Sequence, residues 1–269
     1  MYGVSFVMPV YNGWPYVQQA VQSMLHQHTD IPFEIIIIND GSTDDTAAWL
    51  ATILQPTIKV LQQYPNQGLV ASLNNGVQAA KYAYIARMDA DDICLSNRLT
   101  VQVKALEANP TWAGVAGFIE FINNDNSVAG TWALDRNTIT PATIKKAMAW
   151  ECCLAHPTML LRREILLQFP YRAEQKNIED YDLWLNLLAA NKTIGKVPET
   201  VLHYRVHQSS VTKQTLHQQN FYFKKWRCKI YFLRQYGFPF TSNSFVWKVA
   251  VLALADGVLG VAKQFKKRL

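Results

Sequence analysis

Three carboxylates fall within four residues at Asp89-Ala90-Asp91-Asp92. Held this close they repel one another unless a cation or solvent lies between them. Hard oxygen ligands of this kind suit Mg²⁺ or Mn²⁺, ions commonly shared with substrate phosphates. The alternative is an Asp-rich cap on the helix that includes Arg98 and Leu99. Further along, Glu179, Asp180 and Asp182 form a second acidic group. One of them is positioned to take a proton from a hydroxyl, which is a poor nucleophile at neutral pH. They would equally stabilise the positive end of the helix they open. His156 precedes Pro157, and His207 follows Tyr204-Arg205; neither forms the H-E-x-x-H pattern of zinc hydrolases. Neither G-x-G-x-x-G nor G-x-x-x-x-G-K-[ST] occurs, so phosphates are not held by a glycine-rich loop alone.

The elements that must position these residues alternate. Val4–Met8 is a short β-type run, followed by Val17, Ala20, Val21, Met24 and Leu25 on one helical face. Phe33–Ile38 is a continuous apolar run, as in a strand buried on both faces. Helices are predicted over Thr43–Leu54, Leu69–Ala80 and Asn97–Ala108, and strands over Ile58–Gln62 and Tyr84–Met88. Strands joined by helices imply right-handed βαβ units and a parallel sheet. Tyr11 and Asn12, then Asp40, then Asn66 and Gly68, then Asp89–Asp92 follow four successive strands. That edge of an open α/β sheet is where ligands bind. The segment from Val115 to Tyr204 is less regular, with strands expected near Val115–Phe121 and Thr158–Leu161 and a helix at Asp180–Ala190.

The chain has 269 residues, 49% hydrophobic and 17% charged. That suffices for one sizeable core and excludes intrinsic disorder; 12 Gly and 11 Pro exclude a collagen-like chain. Cys94, Cys152, Cys153 and Cys228 form no C-x-x-C, so a reducing cytosol is expected, with Cys152 and Cys153 as small buried hydrophobes. The opening MYGVSFVMPVYNG does not read as a signal peptide. From Lys213 onward there are eleven Lys/Arg and one acid, Asp256, leaving 15 basic and 19 acidic residues before it.

The ordered set V-S-F-V-M-P-V-Y-N (4–12), N-D-G-S-T-D (39–44), N-Q-G-L (66–69) and A-R-M-D-A-D-D (86–92) resembles the GT-A glycosyltransferases of family 2. H-P-T (156–158), E-D-Y-D-L-W (179–184) and Y-R-V-H-Q-S-S (204–210) extend the resemblance over about residues 3–211. It implies a Rossmann-like, mostly parallel α/β sheet flanked by helices, with a nucleotide-sugar donor, a divalent cation (Mn²⁺ or Mg²⁺) and inverting displacement. By position, Pro9, Tyr11 and Asp40 would hold the base, Tyr11 by stacking. Asn12, Asn66, Gly68 and Ala90 belong to the same nucleotide-sugar set. Asp89 would lie near the ribose or the metal, Asp91 would ligate the metal, His207 would contact metal or diphosphate, and Asp180 would be the general base. Asn39 stands where many members have Asp, and Leu73 where some have Arg.

The expected organisation is a catalytic domain over 1–210, divided into a nucleotide-sugar half (1–125) and an acceptor half (126–210). A basic helical appendage over 211–269 would follow. Projected as a helix, Lys248, Asp256, Lys263 and Lys266 fall on one arc of an otherwise apolar stretch. An interfacial helix drawn to anionic lipid is expected, against the alternative of packing on the catalytic domain. Trp150 and Trp184 would stack on acceptor sugars or lie in the core. No nucleic-acid signature is present. The reading is a peripheral enzyme at the cytoplasmic face of the inner membrane. It would move one sugar, from a UDP-sugar by preference, to a hydroxyl of a cell-surface or lipid-linked saccharide. The rivals are transfer to a polyprenyl phosphate and a non-catalytic nucleotide-sugar binder.

Overall fold

The computed structural model describes residues 1–207 and 221–266. The expected domain boundary at 210 and the Ser209-Ser210 end of the last motif lie outside the described residues. Four strands form a parallel unit: β1 (Val4–Val10), β2 (Phe33–Asn39), β3 (Ile58–Gln62) and β4 (Tyr84–Arg87), in the order β3-β2-β1-β4. The Ile35–Ile38 run is buried on both sides of the sheet. Helices α1 (Tyr16–Leu25), α2 (Asp45–Leu50) and α3 (Leu69–Ala79) make the crossovers. Predicted and observed bounds agree closely here, except that α2 is shorter. It gives way to a turn after Leu50, with the Ala51 N–H closing on the Ala47 carbonyl.

Beyond β4 the sheet becomes mixed. β5 (Ile93–Cys94), α4 (Arg98–Ala108), β6 (Trp112–Ile122), β7 (Val128–Thr131), α5 (Ala133–Asn137) and α6 (Pro141–Met148) follow. Next come β8 (Leu160–Arg162), α7 (Arg163–Gln168), α8 (Glu179–Ala189) and β9 (Thr193–Arg205). The order continues β4-β8-β6-β9-β5, with β8 antiparallel to β4 and β6, β9 parallel to β6, and β7 on β6. Strand β9 has no clear sequence signal, because Gly195, Lys196 and Pro198 interrupt it. It persists because Lys196 is buried in an ion pair with Asp135 (Nζ to Oδ1 2.7 Å) and donates to the Cys153 carbonyl. One core fills the face covered by α1 and α4; the other joins α3, α6 and α8.

The appendage is a helical hairpin, α9 (Phe221–Gln235) and α10 (Ser244–Lys266). Cys228, Phe232, Phe245, Val246 and Val249 enter the same core as Trp184 and Leu188. The expected polar arc along α10 does not exist as drawn. Asp256 is fully buried against α9, bonded to Lys229 (2.7 Å) and 3.2 Å from Lys225. A lone carboxylate can leave water only where cations meet it, and α9 supplies two. The opposite face of α10 is the exposed one: Trp247, Val251, Leu254, Val258 and Val261. By length and hydropathy Ser244–Gln264 could cross a membrane, although a third of it is buried in the protein.

Candidate active site

Residues 89–92 link β4 to β5. Side-chain oxygens of Asp89, Asp91 and Asp92 lie within 4.8 Å of one another. They do not cap α4, whose N-cap is Asn97 with no side-chain cap bond. Arg205, at the end of β9, fixes the loop from behind. Its backbone N–H donates to Asp92 Oδ1 (2.9 Å) and its Nε to the Asp91 carbonyl (2.8 Å). The rest of its guanidinium is spent on Asn123, Asn124, Asn126 and Gln19. Asp92 is buried, and its Oδ2 has no hydrogen-bond partner among the described residues. Burial and then Asp91 raise its pKa well above the usual range. Burial also raises Asp89, against the pull of its ion pair with Arg87. His207 Nε2 lies 2.8 Å from Asp91 Oδ2, and its ring sits 5.4 Å from that of Tyr16.

The acidic loop and the start of α8 both line a cavity of about 520 Å³. The three acids of α8 divide. Asp182 is bound by Arg172 (Nε to Oδ2 2.7 Å) and is structural, whereas Glu179 and Asp180 line the cavity. Asp180 Oδ1 accepts the Tyr181 N–H (2.7 Å), and burial raises its pKa. Glu179 is buried, and its Oε2 has no partner among the described residues; burial and the Asp180 charge push its pKa up to about 7. His156 lines the same space, its Nε2 2.8 Å from the Tyr171 hydroxyl, and burial keeps its pKa well below the ordinary value. Trp184 is core, while Trp150 is partly exposed beside Lys225 and Lys229. Cys153 is buried as expected; Cys152 also borders the cavity.

The remaining residues sit at the neighbouring sheet edge, outside that cavity. Asn12 takes a left-handed φ of 53° and accepts the Thr43 N–H (2.8 Å), tying the loop after β1 to the loop after β2. Tyr11 is 52% exposed there and Pro9 half-buried, so the ring is free to meet a planar ligand. Asp40 is buried: Oδ1 accepts Gln67 N–H (2.7 Å) and Gln63 Nε2 (2.9 Å), and Oδ2 accepts Gly68 N–H (2.8 Å). Asn66 Nδ2 donates to the Asp40 carbonyl (2.8 Å). Gly68 turns at φ 88°, with open space where a side chain would project. Asp40 thus shapes the loop over which a ligand would lie. Asn39 is buried on Gln62 and Ser42, Leu73 is buried in the core, and Ala90 packs on the α1 side.

Chain comparison decides the family. The model of glycosyl transferase family 2 matches residues 5–168. The O-antigen biosynthesis glycosyltransferase WbnJ of Escherichia coli is 32% identical over 87% of this chain and 88% of its own. The chain belongs to glycosyltransferase family 2. Another relative, the E. coli UDP-Glc:alpha-D-GlcNAc-diphosphoundecaprenol beta-1,3-glucosyltransferase WfgD, is 29% identical over 78% of this chain and 80% of its own. Among solved structures, the Pyrobaculum calidifontis mannosyltransferase PcManGT, in complex with GDP-Man and Mn²⁺, superposes with a TM-score of 0.64. That match covers 97% of this chain and 74% of PcManGT at 16% identity, a likeness of fold.

The fold is therefore the GT-A arrangement of a family 2 glycosyltransferase, and the chain is an enzyme of that class. Its oxygen-rich donor set fits a hard divalent cation, and the orphaned Asp92 Oδ2 marks an unmet need for positive charge beside it. Sequence reasoning missed Arg205 as the organiser of the loop and Arg87 as the partner of Asp89. Arg205 sat in a motif already singled out, yet nothing local shows that its bonds reach back to residue 91.

Proposed function

We propose that this glycosyltransferase transfers one sugar from a nucleotide-diphosphate sugar, with UDP-sugars favoured, to a hydroxyl of a saccharide acceptor. The acceptor is a cell-surface glycan intermediate, lipid-linked as in the reaction named for WfgD, and the transfer would take place at the cytoplasmic face of the inner membrane. The observation that carries this reading is that acids from two separate elements line one cavity, Asp89 and Asp91 of the loop after β4 and Asp180 of α8.

Asp89, Asp91 and His207 would hold Mn²⁺ or Mg²⁺; when bound, the cation neutralises charge on the departing diphosphate, worth roughly several kcal/mol. Pro9, Tyr11, Asn12, Asp40, Asn66, Gly68 and Ala90 form the edge that would receive the nucleotide. Asp180 would accept the proton of the acceptor hydroxyl as it attacks, giving inversion by direct displacement. Its raised pKa makes it a better base than a solvated aspartate, and its Oδ2 is left for the acceptor once Oδ1 holds the Tyr181 N–H. Base and leaving group would lie on opposite faces of the sugar, as acids carried by two separate elements allow.

The exposed apolar face of α10 supports attachment to an anionic lipid surface. Lys248 lies beside that face, and Lys263, Lys266, Lys267 and Arg268 follow it in sequence.

The test pairs binding with transfer. UDP-, GDP- and dTDP-sugars are screened for Mn²⁺-dependent thermal stabilisation, since a ligand of the native state raises Tm by mass action. The cognate donor is then used with diphosphate-linked saccharides. Asp91→Asn should abolish the Mn²⁺-dependent shift. Asp180→Asn should slow transfer by about 10²–10⁴-fold. No stabilisation by any donor overturns the proposal. A small Asp180→Asn effect would instead favour an acceptor that is already anionic, such as a polyprenyl phosphate.

A further inference from the structure

Lys224 is a cation in the cavity with no assigned work. It lies in the first turn of α9, lines the cavity beside Glu179 and Asp180, and is half-buried. It enters no hydrogen bond and no ion pair among the described residues. Its neighbours Lys225 and Lys229 are both consumed by Asp256. A lysine partly withdrawn from water without a close counter-ion is costly, and burial lowers its pKa. Helix α9 packs on α8, which carries Glu179 and Asp180, and both acids act on the Lys224 charge. The lysine therefore stands with the α8 side of the cavity, where Asp180 would receive the acceptor hydroxyl.

We infer that Lys224 recognises an anionic group on the acceptor, namely the phosphate or diphosphate that joins the acceptor sugar to its carrier. The inference rests on the proposed transfer to a saccharide hydroxyl at Asp180. A hydroxyl held at that carboxylate leaves the rest of the acceptor running along the α9 wall. An ammonium is a compact point charge that meets a phosphate without the two-pronged alignment an arginine demands. Glu179 and Asp180 alone would repel such an acceptor. Lys224 offsets that repulsion at the place where the carrier must pass.

Three acceptors with the same terminal sugar test the assignment: a short-chain alkyl diphosphate, a neutral alkyl glycoside and a glycoside bearing a carboxylate. Wild type, Lys224→Gln and Lys224→Arg are compared, with Tm and the UDP-induced shift verifying each preparation. For Lys224→Gln, KM for the diphosphate acceptor should rise about tenfold or more, as for loss of a hydrogen bond to a charged group. The same substitution should change KM for the neutral glycoside far less, and Lys224→Arg should recover most of the diphosphate selectivity. Equal losses on neutral and diphosphate acceptors would show that Lys224 serves the wall or Asp180, and would overturn the inference. An equal response with the carboxylate acceptor would overturn the phosphate assignment. If wild type forms no product with any acceptor, the proposed function itself has failed, an outcome separate from these.

Discussion

Arg205 grips Asp91 by its backbone, not its charge: Nε reaches the Asp91 carbonyl at 2.8 Å while the carboxylate is left to His207. The guanidinium, almost wholly buried, stacks 4.6 Å from the Tyr16 ring and ties β9, the 123–126 turn and α1 to the acidic loop. The loop is thereby shaped before any cation arrives, with Asp89 and Asp91 lining the cavity and Asp92 buried behind them.

Arg205→Met should therefore damage both fold and site. The part-buried carbonyls of Asp91, Asn123 and Asn124 lose a charged donor, about 2–3 kcal/mol in all because Asn123 and Asn124 can turn to water. At roughly 2–4 °C per kcal/mol, Tm should fall by on the order of 5–10 °C, and the Mn²⁺-dependent shift should shrink. A variant with unchanged Tm and full Mn²⁺ response would show that the loop shapes itself.

Glu179 gives a pH signature. Its folded pKa of about 7 lies above the 4.5 of an exposed glutamate. Between those values the folded protein holds a proton that the unfolded chain has released, so stability falls as pH rises through about 7. Asp180 pushes in the same direction, while Arg87 and Lys224 oppose it. Glu179→Gln should melt above wild type at pH 8, with the gap narrowing by pH 5. A gap equal at both pH values would contradict this assignment.

The buried Lys225–Asp256–Lys229 group predicts an asymmetry between breaking and replacing charges. Asp256→Ala leaves two lysine ammonium groups without their acid and should cost about 3–5 kcal/mol, lowering Tm by on the order of 10 °C. Adding Lys229→Met to Asp256→Leu should recover part of that loss. Chemical denaturation of the single and double variants measures both. A mild single variant would place Asp256 at a solvated surface.

The outward face of α10 is tested by Leu254→Asp with Val258→Asp, two positions 71% and 69% exposed. Tm should hardly change, because neither side chain is in the core. Sedimentation with phosphatidylglycerol-rich vesicles should drop, and binding to neutral vesicles should be weak throughout. If vesicle binding is unchanged while a dimer dissociates, the face meets a second copy instead of lipid.

Much of the parallel half of the sheet was legible in the chain. The Ile35–Ile38 run fixes a central strand, and polar residues follow four successive strands at one sheet edge. The acids at 89–92 and Asp180 stood out by their type and setting, and Asp89, Asp91 and Asp180 line one cavity. What stayed hidden depends on partners distant in sequence. Strand β9 looks polar until Asp135 meets Lys196, and Asp256 looks solvent-facing until α9 lies across it. A helical projection shows which residues share a side, not which side turns inward.

Because α9 and α10 share their core with α8, the appendage and the cleft stand or fall together. Trimming the chain after β9 would strip the cover from Trp184 and Leu188 and remove Phe221, Lys224 and Lys225 from the rim. Such a fragment would be sticky and incomplete. Modularity ends where the hairpin begins to serve as masonry for its neighbour.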